Sequence, residues 1–181
     1  EETRLVAYDT WRKLTDSEEE EWRRGTLKAE PCALLLNRKR CGRYKARLVV
    51  LGNRWHPEKE NSVYASVVSQ TGNRAVMTHC AREGYSIIPF DISNAFVRAS
   101  MGDIRVVIRL PESFRGQDKD DDGKRMLKKA LYGLPISPRL WAKTLARDLK
   151  TLGWDECKSE PGVYRKIVNG ETVAYITVYV D

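Results

Sequence analysis

The sequence predicts an α+β fold. Hairpin signals lie near both ends of the chain, helical stretches stand between strand-like runs, and no strand–helix–strand unit repeats. Residues 1–30 are highly charged and read as one helical segment. Ser17 and Glu20 have capping-box spacing there, and Trp11 and Trp22 supply sparse apolar anchors. Ala33-Leu34-Leu35-Leu36, the basic run Asn37 to Arg43, and Tyr44 to Gly52 read as strand, turn and strand. Residues 53–72 are turn-rich and irregular. Asn73 to Arg82 reads as a helix ended by Gly84, and Tyr85 to Asp91 as a strand that delivers an aspartate.

Ile104 to Leu110 is a further strand, stopped by Pro111. Gln117 to Lys124 is an acidic turn, and Arg125 to Lys129 a short strand. Ser137-Pro138 opens the clearest helix, with Ser as N-cap and Pro at the first position. Trp141, Leu145, Leu149 and Leu152 form its apolar stripe, and Gly153 ends it. Gly162 to Val168, Asn169-Gly170 and Glu171 to Val180 form a second hairpin around the strongest two-residue turn signal. In its last strand Tyr175, Thr177, Tyr179 and Asp181 share the more polar face.

Composition narrows the partners. The chain has 181 residues, 41% hydrophobic and 31% charged, which suits a globular domain with a real core. Lys and Arg outnumber Asp and Glu by 32 to 25, for a formal charge of +7. An anionic partner, nucleic acid first, is favoured, although an ordinary basic protein has the same balance. Cys32, Cys41, Cys80 and Cys157 are scattered without a C-x-x-C pair, and only His56 and His79 could join them. This argues against a zinc site or a disulfide framework and for reduced thiols inside a cell. There is no signal peptide and no apolar run long enough to span a bilayer, so no membrane partner is expected. The chain does not begin with Met and reads as a piece of a longer product.

The chemistry rests on two aspartates. Asp91 and Asp181 each end an apolar run. Carboxylates at strand ends can meet across a sheet and share a pair of magnesium ions, an arrangement suited to phosphoryl transfer. Strand-end aspartates also serve merely as turn formers, so the neighbouring motifs must carry the rest.

Those motifs resemble the reverse transcriptase of copia-type retrotransposons over about residues 31 to 181. Arg43-Tyr44-Lys45-Ala46-Arg47-Leu48-Val49 is similar to the fingers hairpin, and Tyr64 to Val68 with Arg74 to the segment after it. Phe90-Asp91-Ile92-Ser93-Asn94-Ala95-Phe96 is similar to the first catalytic motif, and Leu110 to Phe114 to the strand exit. Leu127 to Leu134, followed by Ser137-Pro138-Arg139 and Trp141, resembles the template-handling motif. Tyr179-Val180-Asp181 resembles the front of a Tyr-Val-Asp-Asp box.

The resemblance implies an RNA-directed DNA polymerase acting on template–primer and deoxynucleoside triphosphates with two magnesium ions, in a cytoplasmic particle or the nucleus. Asp91 and Asp181 would be catalytic and would ligate the metals with the main chain at Ile92. Lys45, Arg47, Ala95, Phe96, Tyr132 and Gly133 would bind the nucleotide: the two cations at the phosphates, Phe96 as a gate against a 2′-hydroxyl. Arg38, Lys39, Arg40 and Arg43 would meet nucleic acid. Residues 31–85 and 98–136 would be fingers, and 86–97 and 137–181 palm, after an N-terminal helical segment at 1–30. Read without the resemblance, Phe96 and Trp141 are core, Pro138 only starts a helix, and Lys45 and Arg47 are solvated hairpin charges.

Two departures matter. Pro135-Ile136 stands where the family usually has Lys-Gln, which removes a cation and an amide beside the template. The chain also stops at the first Asp of the box, without thumb, primer-gripping hairpin or RNase H segment, so the isolated piece is expected to be inactive. A decayed or repurposed copy that binds nucleic acid without catalysis is the alternative. An unrelated RNA-binding domain would need aromatics clustered on a sheet, and the sequence has no such pattern.

Overall fold

A computed structural model of the chain describes residues 2–55, 65, 67–115 and 121–179. In chain order the elements are α1 (Glu2–Ala7), β1 (Trp11–Arg12), α2 (Asp16–Arg23), β2 (Ala29–Arg38), β3 (Tyr44–Val50), α3 (Gln70–Arg82), β4 (Val107–Arg109), β5 (Lys124–Leu127), α4 (Ser137–Thr151), β6 (Trp154–Glu156), β7 (Val163–Val168) and β8 (Glu171–Thr177). The mixture of sheets and helices agrees with the α+β class. Two compact units form, each from two separated stretches: Glu1–Val63 with Asn94–Trp141, and Tyr64–Ser93 with Ala142–Asp181.

The first unit is built on a five-stranded sheet of order β1-β5-β4-β2-β3. The β2–β3 hairpin pairs antiparallel from Cys32↔Val50 to Arg38↔Tyr44, as the two apolar runs flanking a basic turn predict. At its base β2 pairs parallel with β4, and β4 antiparallel with β5. The strand predicted over Ile104–Leu110 is ladder-paired only at Val107–Arg109. Its flanks still bond to neighbours: Leu127 N–H donates to Val106 O (2.9 Å) and Leu110 N–H to Gly123 O (2.8 Å). Leu48, Val50, Val107, Ile108, Leu110 and Leu131 are at most 1% exposed. Each such side chain contributes roughly 1.5–3 kcal/mol through burial, and together they make the core.

The single helix predicted over residues 1–30 is corrected. Asp9 adopts a left-handed φ of 51° and breaks the segment. Its main chain then enters the sheet as β1, pairing Trp11 with Leu127 and Arg12 with Met126. The capping box is also corrected, from Ser17/Glu20 to Thr15/Glu18: Glu18 N–H donates to Thr15 Oγ1 and Thr15 N–H to Glu18 Oε2. Glu18 is fixed there because Arg12 grips it in a fork, with both N–O distances 2.7 Å. Nothing local in the sequence ranks one box over the other; the strand-borne Arg12 does.

The second unit carries the sheet β6-β7-β8 and helix α3. Asn169 (φ 51°) and Gly170 (φ 83°) make the tight turn between β7 and β8 that Asn-Gly predicts. Helix α3 begins at Gln70, earlier than the predicted Asn73, because the Ser69 hydroxyl accepts from Gly72 N–H (2.9 Å). It packs on β8, where His79 meets Tyr175 edge-on with ring centroids 5.4 Å apart. Part of the more polar face of β8, at Tyr175, is therefore covered by a helix. Helix α3 belongs to this second compact unit.

The strand predicted over Tyr85–Asp91 is absent. Those residues carry no regular secondary structure, and Ile87, Ile88 and Phe90 are 59%, 78% and 69% exposed. Apolar alternation does not suffice for a strand without a neighbouring ladder, and Pro89 has no N–H to give one. The Ser137 prediction is corrected too. Its hydroxyl turns away from its own helix, donating to Leu131 O (2.6 Å) and accepting from Leu131 N–H (3.2 Å). On α4 Trp141 and Leu149 are buried as the stripe predicts, but Leu152 lies past the helix end and is 64% exposed. Among the described residues no helix is long and apolar enough to cross a membrane.

Candidate functional site

Three motifs far apart in sequence come together in the first unit. Arg47 lies on β3, on the face opposite Leu48 and Val50, which point into the core. Its guanidinium carbon sits 5.4 Å from the centre of the Tyr132 ring, a cation–π contact. The Phe96 ring meets the same tyrosine at 4.8 Å between centroids, inclined by 68°. Arg47 is exposed, Tyr132 half-buried and Phe96 only 7% exposed, so the cluster grades from solvent to core.

Backbone contacts hold each member. Asn94 takes a left-handed φ of 56° and turns the chain into a 3₁₀ turn at Phe96–Arg98. That turn is closed by Ala99 N–H to Phe96 O (2.9 Å) and tied across by Ala130 N–H to Ala99 O (2.9 Å). Two residues further on, Tyr132 O accepts from Val50 N–H (2.8 Å), fastening the loop to the end of β3. Gly133 (φ 85°) could carry no side chain here: a Cβ would stand 2.0 Å from Val50 O. Gly52 is also closely packed, since its Cβ would lie 2.8 Å from Gly133 O.

The departure at Pro135-Ile136 acquires a physical reading here. Ile136 is 1% exposed beside Leu134 at 2%. In this chain the position is core, not a polar group withdrawn from a surface. Sequence reasoning missed this, and the one available signal was the apolar pair Leu134 and Ile136 bracketing a proline.

The predicted cations Arg38, Lys39, Arg40, Arg43, Lys45 and Arg47 all lie exposed on or around the β2–β3 hairpin. Among the described residues, no ion pair joins any of the six. Arg38 stacks over Tyr44 at 5.9 Å. At the tip, the hydrogen bond from Arg43 and the nearby Lys39 charge lower the pKa of the exposed Cys41 thiol, a local sign of positive potential. Lys124 of the same unit is by contrast neutralised, sandwiched between Glu19, Asp122 at 2.8 Å and the Trp22 ring at 3.7 Å.

Of the predicted metal ligands, only Asp91 and Ile92 lie among the described residues. Asp91 and Ile92 lie on the irregular stretch after α3, with Asp91 exposed. Val180 and Asp181 lie outside the described residues, as does most of the Tyr64–Val68 motif. Among the described residues no three His, Cys, Asp or Glu side chains are placed to hold a metal ion. Ala95 immediately precedes the Phe96 turn.

Comparison with known proteins agrees with the motifs. The family described as reverse transcriptase (RNA-dependent DNA polymerase) matches residues 33–181. The retrovirus-related Pol polyprotein from transposon RE2 of Arabidopsis thaliana is 32% identical over 140 residues, covering 77% of this chain and 9% of that protein. The Pol polyprotein from transposon TNT 1-94 of Nicotiana tabacum is 29% identical over 143 residues, 77% of this chain and 10% of its own length. The Ty1-BL Gag-Pol polyprotein of Saccharomyces cerevisiae is 31% identical over 133 residues, 72% of this chain and 7% of its own. The chain thus spans at most 10% of the length of these relatives. No solved structure gives a significant match.

Proposed function

The chain belongs to the reverse transcriptase family of copia-type retrotransposon Pol polyproteins, and on that premise we propose that it supplies the fingers and part of the palm of a polymerase that adds deoxynucleotides to a primer. In this reading the basic hairpin and residues 98–136 belong to the fingers, and the Asp91 segment and residues 137–181 to the palm.

The observation that carries the proposal is the meeting of Arg47, Phe96 and Tyr132. Each comes from a different motif, and each is a type that one part of a nucleotide requires. Arg47, with Lys45 two residues away on the same strand face, offers positive charge to phosphates. Phe96, held from below by the core, is a rigid wall against an extra hydroxyl on a sugar. Gly133 lets the main chain approach closely beside Tyr132. Exposed cations at the hairpin tip suit a nucleic-acid backbone. Asp91 and Asp181 offer hard oxygen donors for divalent cations, which would supply Lewis-acid help to phosphoryl transfer when bound.

Photo-crosslinking of a radiolabelled deoxynucleoside triphosphate, followed by peptide mapping, tests the assignment. The adduct should fall on Tyr132 or Phe96 or their immediate flanks, and Arg47→Ala should reduce it. Adducts scattered over surface lysines would instead favour a copy that binds nucleic acid without catalysis. One observation speaks for that second reading: Asp91 sits on an irregular segment rather than at the end of a strand.

A further inference from the structure

Resting on the nucleotide-site reading above, we propose that Tyr132 is a positioning residue, holding the phosphate-binding Arg47 and the sugar gate Phe96 in register rather than reading the base itself. The geometry is that of a shared support. One ring is approached by a guanidinium at 5.4 Å and by a second ring at 4.8 Å. The ring is itself fixed from the backbone side, by Val50 N–H bonding to Tyr132 O and by Gly133 pressed against Val49 and Val50.

Arg47 needs such a support. It is exposed, carries a long side chain, and no ion pair among the described residues orients it. A free arginine spends most of its time in rotamers that miss any given phosphate, and ordering it on binding weakens affinity. A cation–π contact at an exposed site offsets about a threefold share of that weakening. Phe96 needs support differently. Its 3₁₀ turn is fixed by Ala130, and its ring meets Tyr132 from within the same loop system. A smaller residue at 132 would let the ring relax and blur the steric limit at the sugar. One residue therefore couples two recognition elements that stand far apart in the sequence.

Two measurements on the 181-residue chain decide it. In the unmutated protein, NMR of the Arg47 Nε–Hε group should show an upfield ring-current shift. Its absence overturns the proposal without any variant. In the second, dGTP and GTP are titrated into wild type, Tyr132→Phe, Tyr132→Leu, Arg47→Ala and the Tyr132→Leu/Arg47→Ala double variant. Arg47→Ala should weaken dGTP binding about tenfold, as removal of a charge-assisted hydrogen bond does. Tyr132→Leu should weaken it about threefold in wild type and not at all when Arg47 is already Ala. It should also narrow the preference for dGTP over GTP, while Tyr132→Phe keeps both properties. An equal weakening in both backgrounds, or an unchanged sugar preference, overturns the positioning role while leaving the nucleotide site standing. A wild-type chain that binds neither nucleotide rejects the site reading and this proposal with it.

Discussion

Acid should loosen the first unit first of all through Glu18. Its side chain is 9% exposed and held by the Arg12 fork. That hydrogen-bonded pair, assisted by Thr15 N–H and partly opposed by burial, lowers its pKa from 4.5 to about 2. A carboxylate whose folded pKa is depressed stabilises the fold above its unfolded pKa. The contribution is lost as pH falls from about 4.5 through about 2. At about 1.4 kcal/mol per unit the shift corresponds to about 3 kcal/mol. Arg12 is 42% exposed, however, so solvent screens the pair, and about 2 kcal/mol is the figure to expect. Asp121, 7% exposed and bonded to Arg125, is likewise lowered to about 2 and adds in the same direction.

The perturbation is Glu18→Gln, which keeps the size and an acceptor for Thr15 but removes the charge. Urea unfolding followed by tryptophan fluorescence, with hydrogen exchange at Trp11 and Met126 to localise the change, is the assay. At pH 6 the variant should be less stable by about 2 kcal/mol. The gap should close between pH 4 and pH 2, because only wild type has a charge to lose there. Parallel pH profiles for the two proteins would refute the reasoning and reduce the Arg12–Glu18 pair to a solvated contact.

Three further outcomes follow from the same geometry. Gly133→Ala should cost at least about 2 kcal/mol in thermal or urea unfolding, since its Cβ would lie 2.0 Å from Val50 O at a φ of 85°; an unchanged midpoint would mean that the loop is not fastened to β3. Replacing Arg38, Lys39, Arg40 and Arg43 by Gln should weaken non-specific nucleic-acid binding and flatten its salt dependence, by roughly one unit of log–log slope for each phosphate no longer neutralised. In a primer-extending Pol product that contains this segment, Phe96→Val should admit ribonucleotides and, because the ring is 7% exposed, also cost about 1–3 kcal/mol of stability; an active variant with unchanged sugar selectivity would make Phe96 core alone.

What was legible in the sequence was local. The β7–β8 hairpin needs only Asn169-Gly170, whose backbone takes the left-handed angles those residues tolerate. The β2–β3 hairpin needs two apolar runs and a basic turn, and it forms where they stand. What failed depended on distant partners. Tyr85–Asp91 has the composition of a strand but joins no ladder among the described residues. Residues 1–30 have the composition of a helix, yet Thr10 is 1% exposed and its carbonyl accepts from both Lys128 and Lys129 N–H, which draws the chain into the sheet. The chosen capping box follows from that capture, because β1 brings Arg12 to Glu18.

The loop at 131–137 shows why a motif and its meaning can separate. By the family resemblance, Pro135-Ile136 would remove polar groups beside a template. In the structure the same loop has a second task, which is to hold Tyr132 and Gly133 against β3. Leu131 and Leu134 are buried on either side of them, Ser137 folds back to satisfy both the N–H and the carbonyl of Leu131, and Ile136 is sealed beneath. A buried Lys or Gln at 136 would need a partner or a path to solvent; isoleucine needs neither. Burial of Ile136 therefore lets the loop that presents Tyr132 pack without an unpaired polar group.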